Sequence, residues 1–165
     1  MKLKQIFRLR SKQVGFTLIE LIIVIAIIAL LAAATFVAVN PAKRIGDANN
    51  AQRWADITAM ADAWSLYVAD NSGTAPVSAT NGTTYTIATT TGGIFGSDAC
   101  TATTSTELLS LGALVTGGYI GVIPIDPEMT SPIDRTDYYF YTDSTGIVKI
   151  GACETYNSAD IVVNR

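Results

Sequence analysis

GFTLIELIIVIAIIALLAAATFVAV, residues 15–39, decides the fold of this chain. From Leu21 to Val39 no side chain is charged, and Thr35 is the only polar one. As a helix, residues 16–39 would extend about 36 Å at 1.5 Å per residue, enough to cross a hydrocarbon core of about 30 Å. A helix apolar on every side has to be buried, in lipid or in protein. The exception to this uniformity is Glu20, at the start of the run. A carboxylate costs roughly 2.5–3.5 kcal/mol at a bilayer centre, less at the edge, so Glu20 calls for a partner.

Five basic residues precede the run (Lys2, Lys4, Arg8, Arg10, Lys12) and only Lys43 and Arg44 closely follow it. This asymmetry places the N-terminus in the cytoplasm and the rest of the chain beyond the cytoplasmic membrane. A permanent anchor explains the apolar run but neither Glu20 nor Gly15–Phe16. A secretory signal cut near Ala32–Ala33–Ala34 would need a leading region of about twenty residues containing Glu20. Apolar sequence also resumes at Phe36–Val37–Ala38–Val39.

Gly15, Phe16, Thr17, Leu18, Ile19 and Glu20 resemble, position by position, the signal of type IV prepilins and type II secretion pseudopilins. The resemblance implies cleavage after Gly15 by a prepilin peptidase, N-methylation of Phe16, and a role for Glu20 in filament assembly. Residues 1–15 would then be a leader. Residues 16–40 would anchor the subunit in membrane lipid, then pack with copies of themselves in a filament core, with Glu20 paired to the amino group of Phe16. An inner-membrane assembly platform and an assembly ATPase would be partners, and the mature subunit would pass from the cytoplasmic membrane to a surface filament. The alternatives are a secretion pseudopilin or a membrane-anchored binding module that does not assemble.

Without residues 1–15 the chain keeps six basic residues against fourteen acidic ones, a net charge of −8. That balance does not favour nucleic acid. There is no histidine, which removes the commonest general base and zinc ligand. No nucleophile–base pair, phosphate loop or zinc spacing is visible, and the chain does not read as an enzyme. Two cysteines, Cys100 and Cys153, fall in the exported part. An even count there points to one disulfide, with two separate buried thiols as the alternative.

Residues 41–165 read as one extracytoplasmic domain. Asn40–Pro41 marks a kink. Beyond it Trp54, Ile57, Ala61, Trp64 and Val68 form one helical stripe, widened by Met60 and Tyr67, with Arg53, Asp56, Asp62 and Asp70 on other faces. The amphipathic helix spans 41–72, so that 17–71 form one long bent helix. Residues 73–104 form a variable loop, with a possible strand at Tyr85–Thr89. Thr104–Ser105–Thr106–Glu107 has the spacing of a capping box, giving a short helix over about 105–116. Strands follow at 137–142, 147–153 and 161–163. The expected class is α+β, type IV pilin-like: a long bent helix on a small antiparallel sheet. Gly118, Tyr119, Pro124, Asp126 and Pro127 resemble the corresponding stretch of pseudopilins, although Glu128–Met129–Thr130–Ser131–Pro132 departs from the major pseudopilins. Some pseudopilins bind a structural calcium in C-terminal loops, and Asp126, Glu128, Asp134 and Asp137 are oxygen donors of the right type. EF-hand spacing is absent; solvated loop charges are the plainer reading, and Asp126–Pro127 reads as a turn device. No other cofactor is implied. The aromatic run Tyr138–Tyr141 reads as cross-strand packing.

Overall fold

The chain is described by a computed structural model over residues 15–89, 94–95 (backbone only), 107–129 and 135–165. It divides into two compact units, Met1–Pro41 and Ala42–Arg165.

The described part of the first unit is helix α1, Leu18–Val39, in which no residue is buried. β-Branched Ile and Val are mediocre helix formers in water. In lipid, however, every backbone polar group must be satisfied within the segment, which favours a helix. By length and composition α1 can cross a membrane, with an 18-residue window of mean hydropathy 3.1. The expected interruption is present: Asn40 closes α1 in the left-handed region, with φ 44° and ψ 76°. Asn tolerates that conformation better than most residues. Pro41 then opens α2, Pro41–Asp70, where its missing N–H costs nothing and its fixed φ suits the first helical turn.

In the second unit α2 packs on a six-stranded sheet of order β2-β3-β1-β4-β5-β6. The strands are β1 Thr84–Ala88, β2 Ile94–Phe95, β3 Glu107–Ser110, β4 Arg135–Thr142, β5 Val148–Ala152 and β6 Val162–Asn164. Neighbouring strands are antiparallel except β1 and β3, which run parallel with Tyr85 opposite Glu107. The alternation of β4 sends Thr136, Tyr138 and Phe140 inward. Phe140 meets Trp64 of α2 at 4.6 Å between ring centroids. On the other face Tyr139 lies over Gly151, where a Cβ would stand 2.5 Å from the ring, and Tyr141 faces Lys149 across the pair. The aromatic run is therefore cross-strand packing, as its spacing implies. The whole is an α+β architecture of the type IV pilin kind.

Two expectations are corrected. Of the helix expected over 105–116, residues 105–106 lie outside the described residues, β3 occupies Glu107–Ser110, and helix α3 covers only Gly112–Thr116. Leu108, Leu109, Leu111 and Leu114 are all buried. A continuous apolar run does not by itself separate a buried strand from a buried helix, and pairing with β1 settles it. On α2, Arg53 does not lie on an outer face but is completely buried, whereas Trp54 of the proposed stripe is 43% exposed. The buried arc runs through Arg53, Ile57, Met60, Ala61 and Trp64, displaced from the purely apolar stripe by a charged side chain that has found partners.

The C-terminal segment is fastened to the start of α2. Asn50 Nδ2 donates to the Tyr156 carbonyl at 2.9 Å, and the Tyr156 N–H donates to Asn50 Oδ1 at 3.0 Å. One turn earlier, Gly46 lies under the Tyr156 ring: a Cβ there would come within 2.2 Å of it. Gly46→Ala is expected to push the ring away and cost about 1–3 kcal/mol, as overpacking does. A lowered thermal midpoint with α2 helicity intact is the outcome; an unchanged midpoint would mean the 156–158 turn contributes nothing to stability.

Candidate functional site

Gly15 and Phe16 precede the first turn of α1 and are exposed, Phe16 at 94%. Thr17 is the N-cap, in extended conformation with φ −80° and ψ 152°. Its hydroxyl accepts from the Glu20 N–H at 3.3 Å and donates to Glu20 Oε2 at 2.8 Å, and its own N–H donates to the same oxygen at 2.9 Å. This is a reciprocal capping box. At the start of a helix long and apolar enough to cross a membrane, it satisfies amide donors that a helix start otherwise leaves open. Such caps are worth about 1 kcal/mol.

The capping box changes what Glu20 implies. The carboxylate has a partner inside its own chain, so an intersubunit amine is not the only group able to receive it. A cut between Gly15 and Phe16 would leave the Phe16–Thr17 amide intact. The cap would survive processing, and the new amino group would stand one residue before it. The pattern Thr17-x-x-Glu20 is the sequence signal for this arrangement, and Thr17 is the residue that reading Glu20 alone passes over.

In the second unit the candidate calcium residues divide. Asp126 and Glu128 converge on Arg53: Nε and Nη2 donate to the two Asp126 oxygens at 2.5 and 2.8 Å, and Nη2 donates to Glu128 Oε2 at 2.7 Å. Nη1 donates to Asn50 Oδ1 at 2.9 Å. The Glu128 N–H caps Asp126 Oδ1 at 2.8 Å. Asp137, in a left-handed conformation, stands 3.5 Å from Arg135 Nε. Asp134 lies outside the described residues. Among the described residues no group of three or more His, Cys, Asp or Glu is placed to hold a metal ion. Asp126 is thus more than a turn device: it is a buried anion facing a buried cation. Cys153 is buried after β5; Cys100 lies outside the described residues.

Hydrogen bonding to Asp126 raises the Arg53 pKa, outweighing burial, and Glu128 adds to it. Arg53 in turn holds the Glu128 carboxyl below its ordinary value of 4.5. Nearby, Tyr138 Oη donates to Asp56 at 2.7 Å. Burial raises Asp56 from 3.8, only partly offset by that bond. A depressed carboxyl pKa contributes stability that is present above the unfolded value and lost as pH falls through the folded one. Asp56 acts in the opposite sense, favouring the fold at low pH. The midpoint difference between wild type and Glu128→Gln is therefore expected to be full at neutral pH and to close as the pH falls below about 4.5. A difference that stays constant through acid would show that the Glu128 charge is not involved.

Residues 10–36 match the family model of the prokaryotic N-terminal methylation motif, which is the prepilin signal of type IV pilins and pseudopilins. Compared with the curated proteins and with the solved structures, the chain matches none.

Proposed function

We propose that this chain is a structural subunit of a type IV pilus-like filament. It enters the cytoplasmic membrane as a prepilin with its N-terminus in the cytoplasm, is cut after Gly15 and methylated at Phe16, and assembles with copies of itself through α1. The observation that carries the proposal is the combination of the methylation motif over residues 10–36 with a helix of 22 residues, none of them buried within the chain. A helix apolar on every face has use for lipid first and for other subunits afterwards. The partners are the prepilin peptidase, the assembly platform with its ATPase, membrane lipid and further copies of the chain.

The Thr17–Glu20 cap favours keeping a second reading, a membrane-anchored extracytoplasmic module that stays monomeric, because it gives Glu20 a partner without assembly. A secretion pseudopilus is a third outcome of the same chemistry. Shear fractionation with labelled electron microscopy separates them. The filament reading expects the processed chain in sheared fibres; its confinement to the membrane fraction would select the monomeric anchor.

The Cys100–Cys153 disulfide belongs to the same proposal. Its support is the burial of Cys153 and the lack of a free thiol among the described residues. Closing a loop of this width contributes about 4 kcal/mol in the chain-entropy account. Non-reducing peptide mapping is expected to recover the linked pair; two alkylatable thiols in native protein would exclude it.

A further inference from the structure

Arg53 is among the largest fully buried side chains of the described residues, and it is charged. Four of its contacts are to oxygen, three of them from Asp126 and Glu128. Asp126 is itself buried, at 5% exposure, while the Glu128 side chain remains half exposed. Both Asp126 oxygens are taken, one by Nε and the other by Nη2 and the Glu128 N–H. The Asp126 N–H is fixed on the Thr136 carbonyl of β4 at 2.9 Å. The two carboxylates thus sit on a segment that is otherwise irregular, between α3 and β4, and the guanidinium reaches them from α2.

We infer that Asp126 and Glu128 form a cation seat whose occupant is built into the chain. The Arg53 guanidinium fills the place that a divalent ion would need, so the 119–129 segment is tied to α2 without metal. The geometry suits a planar fork better than a point charge. Two parallel N–H donors meet the two oxygens of Asp126, and the remaining edge of the same nitrogen reaches Glu128. A dication seated on these oxygens would stand against the guanidinium, and like charges repel. While Arg53 holds both Asp126 oxygens and Glu128, the seat excludes calcium by occupancy. The tie also sets what the segment presents: Ile123 and Asp126 turn inward, while Val122 and Ile125 stay outward.

The test uses the full-length protein in detergent, read by thermal melting of the near-ultraviolet tyrosine and tryptophan signal. The wild-type midpoint is expected to be the same in EDTA and in millimolar calcium chloride. Arg53→Ala should lower it by roughly 10–20 °C, because it leaves a buried carboxylate unpaired. Millimolar methylguanidinium should restore part of that loss, while sodium chloride of equal ionic strength should not. Arg53→Lys, which keeps the charge without the fork, should fold with an intermediate midpoint and the same indifference to calcium; this covers the case in which the alanine variant does not fold. A wild-type midpoint that rises with calcium, or an Asp126→Asn variant as stable as wild type, would overturn the inference.

Discussion

Cells carrying Gly15→Val are expected to accumulate full-length precursor in the membrane and to yield no chain beginning at Phe16. The effect should be near total. Among the described residues, a Cβ added at Gly15 meets no atom within 4 Å, so the substitution is not expected to disturb the packing. Thr17 and Glu20 keep their cap, and α1 keeps its length. What changes is the residue presented to the peptidase on the N-terminal side of the bond to be cut, where the motif carries glycine. Immunoblots resolving precursor from product check it. Normal processing of the valine variant would place the cut elsewhere.

Replacement of Glu20 is expected to separate insertion from assembly. Glu20→Leu removes the charge and the cap acceptor together. Membrane insertion should be retained or improved, because a carboxylate has left an otherwise apolar helix. Cleavage should be normal, and the chain in sheared filaments should fall about tenfold or more, since an amine entering a low-dielectric core has lost its partner. Glu20→Gln refines the result. Its amide oxygen can still accept from the Thr17 N–H, so the cap is kept while the charge is gone. If pairing with the Phe16 amine is what registers the subunit, Gln and Leu should fail alike. Wild-type filament yield from Gln, with loss only in Leu, would assign the role to the cap.

The two capping-box patterns of the sequence show how far local reading reaches. Thr17-Leu18-Ile19-Glu20 forms the cap in full. Of the same spacing at Thr104–Glu107, residues 104–106 lie outside the described residues, and Glu107 opens β3. Four local residues decide the first case because the cap is made among those residues themselves. In the second, Leu108 and Leu109 are claimed by Thr86 and Ile87 of β1, and no local signal carries that pairing. The strand at 137–142 and the break at Asn40–Pro41 were legible because each depends on neighbours in sequence. The burial of Arg53 was not, because its partners lie 73 and 75 residues further on. An arginine beside an apolar stripe looks like solvent-facing charge until its carboxylates are placed. Of the candidate sites, Gly15, Phe16 and Glu20 belong to one contiguous motif and were readable as such. Asp126 and Glu128 were found as acids, but nothing near them in sequence points to Arg53.

The account turns on where the mature chain begins. Mass spectrometry of the N-terminal peptide from protein isolated out of native membranes or filaments measures this directly. The expected peptide starts at Phe16 and carries one added methyl group on its amine. A peptide starting at Met1, or one starting near Thr35 after loss of the apolar run, would contradict it.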